Sequence, residues 1–147
     1  MKKLVLLAAA LASVSTIAAT AQADETNPSI VHRQGIYKVV AGHMAGLKSG
    51  LFLKGSTENL VWDAESIVAA FQHMGDAYPE GSDKGETKAK ANIWTDRAKF
   101  QEAGKKSYGA AVALVEATKA GDQAKSVEAF KALGGTCKAC HEEFRKD

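Results

Sequence analysis

The sequence is poor in the residues that tie small chains together. Only two cysteines occur in 147 residues, at positions 137 and 140, so no disulfide framework holds the fold. No second pair is present to complete a zinc site. The two prolines, Pro28 and Pro79, leave long stretches free to be helical. No segment alternates apolar and polar residues as half-buried strands do, and no unit repeats. A concentrated basic stripe is also missing. Of 19 lysines and arginines two, Lys2 and Lys3, stand at the extreme N-terminus, which leaves 17 against 17 acidic residues in the remainder. That balance excludes a nucleic-acid binder.

What is present begins with a leader. Met1, Lys2 and Lys3 precede an uncharged apolar and small-residue run from Leu4 to Thr20, and Ala21-Gln22-Ala23 fits a small-x-small cleavage site. The run is too short in leucine and too diluted by Ser, Thr and Ala for a membrane anchor, so no membrane insertion is expected. Residues 1–23 read as a cleaved signal peptide, with export to the periplasm, and 24–147 as one domain.

Four helical segments follow. Asn27-Pro28 makes an N-cap and first turn for a helix over about 28–53, with Ile30, Tyr37, Val40, Met44, Leu47 and Leu51 on one face. Ser56 or Thr57 starts a second over about 58–74, ended by Gly75. A polar segment from Asp76 to about Asn92 is a crossing loop that packs over something, and Ile93-Trp94 returns it to the core. Thr95 or Asp96 opens a third helix to about Lys119. After Gly121, Asp122 caps the last, which carries Val127, Phe130, Leu133, Cys137, Cys140, His141 and Phe144 at helical spacing. The expected fold class is all-α, an antiparallel up-down four-helix bundle.

The chemistry lies in Cys137-Lys138-Ala139-Cys140-His141, a C-x-x-C-H motif. On a helix, positions i, i+3 and i+4 share a face, so two thiols can add to the two vinyl groups of one porphyrin while the imidazole reaches the iron. A thioredoxin-type pair would instead open a helix after a strand. A disulfide across three residues would close almost no chain. Covalent haem attachment through Cys137 and Cys140, with His141 as axial iron ligand, is the reading the motif favours.

With that motif near the C-terminus, followed by Phe144-Arg145, and with Arg33-Gln34 early in the first helix, Ile93-Trp94-Thr95-Asp96 ending the loop and Phe100 after it, the chain resembles the class II c-type cytochromes, and within them cytochrome c′. The resemblance spans the whole mature chain. It implies one haem c between the helices and a homodimer formed through the first two. Carried over, it places Arg33 and Gln34 near the haem propionates, Thr87 at a further propionate contact and Arg145 beside His141. Without it, Arg33 would read as a solvated surface charge.

Low-spin relatives have a methionine as second iron ligand four positions after the arginine; here that position is Tyr37. A neutral phenol is a poor ligand for ferrous iron. The expectation is therefore a five-coordinate, high-spin iron with Tyr37 over its open face, able to bind nitric oxide or carbon monoxide and to exchange electrons with small redox proteins. The alternative is a six-coordinate, low-spin electron carrier with a second protein ligand. Met44 lies two turns past Tyr37, about 10 Å along the axis, and reads as core filler. His32, His43 and His73 read as surface histidines. No acid-base pair marks an enzyme.

Overall fold

Asn27 and Pro28 form a helix start, and the computed structural model describes residues 27–147. The leader and its cleavage point lie outside the described residues. Helix α1 (Pro28–Phe52) is capped by the Asn27 side chain, whose oxygen accepts from the Ser29 amide at 3.0 Å. Helix α2 (Leu60–Gln72) begins two residues later and ends two earlier than the apolar spacing predicts. Two short pieces were not expected: a 3-10 turn at Gly75–Ala77 and a single helical turn, α3 (Asn92–Thr95). Both are the loop adapting to what it covers. Helices α4 (Arg97–Lys119) and α5 (Gln123–Phe144) start at Asp96 and Asp122, whose carboxylates accept from the amides of Lys99 and Lys125. Each cap satisfies an otherwise orphaned donor. Gly121 makes the sharp link between α4 and α5 with φ at 65°, where a side chain would be strained.

The four long helices form the expected all-α bundle, with α1 packed on α2, α2 on α4 and α4 on α5. Its main core joins Val40, Leu47 and Leu51 with Leu60, Ala64, Ile67, Ala111, Leu114, Val115 and Leu133. Fully burying a leucine or isoleucine of this kind contributes about 1.5–3 kcal/mol. Close approach of α1 to α2 depends on Gly50, where a Cβ would stand 2.8 Å from the Ser56 carbonyl oxygen. Met44 packs against this core.

A second apolar cluster occupies the other end. Ala77, Tyr78, Ile93 and Phe144 are buried there with Ile36, Tyr37, Met74, Trp94, Phe100 and Cys140 packed against them. Cys137 instead packs against the main core. The two cysteines, one turn apart on α5, therefore straddle the seam between the clusters.

One histidine differs from its sequence reading. His43 is only 16% exposed at its side chain; its Nδ1 lies 2.8 Å from Asp63 Oδ1 on α2, and its ring meets Trp62 edge-on at 4.7 Å. Its partner lies twenty residues away on another helix, which local spacing does not reveal. His32 and His73 are exposed.

Candidate functional site

The site is built where α5 ends, and the crossing loop makes it rigid. The last carbonyls of a helix have no partners within it. Here Lys90 donates from its amide to Phe144 O at 2.9 Å and from Nζ to Glu142 O at 2.8 Å, while Asn92 Nδ2 donates to Glu143 O at 3.1 Å. Lys146 donates back to Lys88 O at 2.7 Å. Those contacts hold the turn of α5 that carries His141. Lys90 and Asn92 had no motif to announce this role.

Arg33 anchors the same loop from α1. It is 3% exposed, so the surface reading of an isolated arginine does not hold. Nη2 donates to Ser82 O at 2.7 Å and to Thr87 Oγ1 at 2.8 Å, and the guanidinium carbon lies 4.9 Å from the Tyr78 ring centroid and 5.8 Å from that of Trp94. Burial pushes its pKa down, and it has no carboxylate partner among the described residues. Gln34 donates to Glu86 O at 2.9 Å, and Thr87 Oγ1 also accepts from the Ala89 amide. Tyr78, the aromatic at the centre of this network, was missed from sequence. Its signal was a large aromatic beside Pro79 in an otherwise polar loop.

Two adjoining cavities open between α1, α4, α5 and the loop, the second reaching α2 as well. The first, about 440 Å³, is lined by Arg33, Gln34, Tyr37, Thr87, Cys140, His141 and Arg145 among others. The second, about 560 Å³, shares Tyr37, Cys140 and His141 and adds Cys137, Phe71, Met74 and Tyr108. Every sequence-derived site residue thus lines one or both. Met44, His32, His43 and His73 line neither. The Tyr37 and His141 rings meet edge-on, with 65° between their planes and centroids 6.4 Å apart.

The electrostatics suit an anionic, flat, apolar guest. Arg33, Lys38, Lys88 and Arg145 line the first cavity without one carboxylate among its lining residues. Burial, and then the Arg145 charge, lowers the pKa of His141, which keeps its imidazole neutral and able to bind a metal. Burial raises both cysteine thiols, the opposite of what an exchange-active dithiol needs. Burial, followed by the neighbouring Tyr78, drives the Tyr37 pKa far upward, so it stands as a phenol.

Fold and site define a helical-bundle protein of the c-type haem class. The sequence pattern described as Cytochrome C' matches residues 29–145. The chain is 35% identical to cytochrome c' of Rhodospirillum rubrum, with 99% of both chains covered. Among solved structures it resembles a cytochrome c' described by its ligand-controlled dimer dissociation, at 27% identity and a TM-score of 0.77, over 81% of this chain and 95% of the other. It also resembles a nitric oxide complex of a cytochrome c prime mutant from Alcaligenes xylosoxidans, at 26% identity and a TM-score of 0.75, over 81% and 94%. The chain belongs to the cytochrome c' family, a haem-binding electron carrier with one covalently attached haem c. The donor set fits that group: two thiols and an imidazole on one face of α5, an apolar slot, and in the first cavity cations with no carboxylate among its lining residues, suited to an acidic group.

Proposed function

We propose that this chain is a periplasmic protein whose haem c is joined to Cys137 and Cys140 and ligated by His141, with the opposite face of the iron left open beneath Tyr37. The observation that carries this reading is that Tyr37 and His141 line the same two cavities with ring centroids 6.4 Å apart, edge-on, and with the phenol kept neutral by burial. A phenol in that place excludes bulk water without supplying the phenolate that could bind ferric iron. The haem supplies one-electron chemistry and a vacant coordination position for a diatomic gas, nitric oxide or carbon monoxide. This chain's own residues do the rest. Arg33, Gln34 and Thr87 hold the loop over the propionate side, and burial, helped by the Arg145 charge, keeps the His141 imidazole uncharged.

Export is supported by the leader pattern of residues 1–23. No helix among the described residues is long and apolar enough to cross a membrane. A homodimer through α1 and α2 is supported by the exposed Val31, Val39 and Trp62 on those helices, and the role is one of binding and carrying rather than of turnover. Small redox proteins are the electron partners.

The test is an optical spectrum of the haem-loaded protein, ferric and ferrous, with and without carbon monoxide. A high-spin ferrous spectrum that shifts with the gas is expected. A low-spin spectrum indifferent to it would replace this reading with a six-coordinate carrier, for which Met74, a thioether lining the second cavity, is a candidate ligand.

A further inference from the structure

Three oxidisable side chains run from the cavity to the surface. Tyr37 lines both cavities opposite His141. The Tyr78 hydroxyl donates to the Tyr37 hydroxyl oxygen at 3.2 Å. The Tyr78 ring is 6.0 Å from that of Trp94, centroid to centroid, in an edge-on arrangement. Tyr78 is buried, whereas Trp94 is half-buried and donates from its indole nitrogen to Pro79 O at 3.0 Å in an exposed stretch of the loop. Packing alone explains aromatic rings in this cluster. It does not explain why the two phenols place their hydroxyls together, nor why the last member reaches solvent.

Arg33 determines what kind of chemistry the chain supports. Its guanidinium sits over Tyr78 and Trp94, 4.9 Å and 5.8 Å from their centroids. A fixed positive charge at that distance opposes any step that would leave a cation on either ring. Oxidation at Tyr78 must therefore release a proton with the electron, and the hydrogen bond to Tyr37 already supplies its path.

We propose that Tyr37, Tyr78 and Trp94 form an electron-donating relay that carries oxidising equivalents away from the haem when it meets hydrogen peroxide, sparing the macrocycle. The relay rests on the open-face reading above. The peroxide takes two electrons: one from the ferrous iron, which ends ferric, and one, together with a proton, from the Tyr37 phenol. A second proton comes from the medium and two waters form. Tyr78 then restores Tyr37 by passing a proton along their hydrogen bond and an electron between the rings. Trp94 gives an electron to Tyr78 and releases its indole proton to solvent. The proton Tyr78 needs returns from Tyr37, which takes one from cavity water. The net loss is one electron and one proton from Trp94, at the surface, where a soluble reductant can repair it.

The sequence contains an internal control. Trp62 on α2 is 60% exposed and outside the cluster, while Tyr108 lines the second cavity and is a competing phenol. The experiment adds equimolar hydrogen peroxide to the ferrous, haem-loaded protein and reads freeze-quenched radicals by electron paramagnetic resonance and oxidised residues by peptide mass spectrometry. Oxidation is expected several-fold higher at Trp94 than at Trp62, despite the greater exposure of Trp62. Tyr78→Phe, which keeps the ring and removes the hydroxyl, is expected to hold the radical at Tyr37 and to cut Trp94 oxidation several-fold. Equal oxidation of the two tryptophans in the unmodified protein, or a radical at Tyr108, overturns the relay, and neither result depends on a variant folding. Carbon monoxide binding without preferential Trp94 oxidation removes the relay alone; a haem inert to both reagents removes the open-face reading with it.

Discussion

Arg33 Nη2 and Thr87 Oγ1 meet at 2.8 Å although 54 positions separate them in sequence. That bond, with the one to Ser82 O, is how α1 holds the crossing loop against the end of α5. A buried charge of this kind tolerates little change, because each carbonyl or hydroxyl left unpaired costs about 1–3 kcal/mol. Arg33→Met is expected to lower the unfolding free energy of the haem-loaded protein by about 2–3 kcal/mol on that basis. It should also expose residues 79–88 to limited proteolysis. Unfolding curves that superimpose, with the loop still protected, would contradict the anchoring role.

The helices and the motif were legible from sequence because both are local. The apolar face of α1, the caps at Asn27, Asp96 and Asp122, and the i, i+3, i+4 placement of Cys137, Cys140 and His141 all follow from neighbouring residues. The surroundings of the site were less so. Arg33 reads as a surface charge until the loop folds over it, and His43 reads as exposed until Asp63 arrives from α2. Tyr78, Lys90 and Asn92 act through contacts across tens of residues, which no periodicity encodes.

Gly50 tests the close packing of α1 on α2. An added Cβ would stand 2.8 Å from both the Ser56 carbonyl oxygen and Leu60 Cδ2. The leucine can shift, but the carbonyl belongs to the backbone of the α1–α2 link. Overpacking of this sort costs typically about 1–3 kcal/mol, and Gly50→Ala is expected to fall in that range by chemical denaturation. It should leave the haem spectrum unchanged, since Gly50 lines neither cavity. A neutral or stabilising effect would mean that the link moves freely.

Tyr78 gives the fold a weakness at high pH. Burial raises its pKa above the ordinary 10.0, a shift that the Tyr37 hydrogen bond and the Arg33 charge only oppose. A group whose folded pKa is raised contributes stability that is complete below the unfolded pKa and is lost as pH climbs through the folded one. Stability is therefore expected to decline from about pH 10 upward. Tyr37, pushed up further by burial, adds to the same decline; phenolate absorbance should appear together with loss of helical circular dichroism, and Tyr78→Phe should lessen the decline without abolishing it. Ionisation of Tyr78 with the helices intact would show that water reaches the ring in the folded state.

On the open-face reading proposed above, Tyr37 decides between the two kinds of iron site, so its replacement is the sharpest probe of this one. The residue is on α1, its ring meets that of His141 edge-on with centroids 6.4 Å apart, and its phenol oxygen is already engaged by Tyr78. A thioether at the same place is unbranched, flexible and a ligand for ferrous haem. Tyr37→Met is expected to yield a low-spin ferrous spectrum with little response to carbon monoxide, whereas Tyr37→Ala should remain high-spin and take up the gas faster than the unmodified protein. Both changes leave the covalent attachment through α5 untouched, so haem content is the internal control. If Tyr37→Met stays high-spin and Tyr37→Ala binds gas no faster, the phenol does not stand over the iron and access is governed from elsewhere in the cavity.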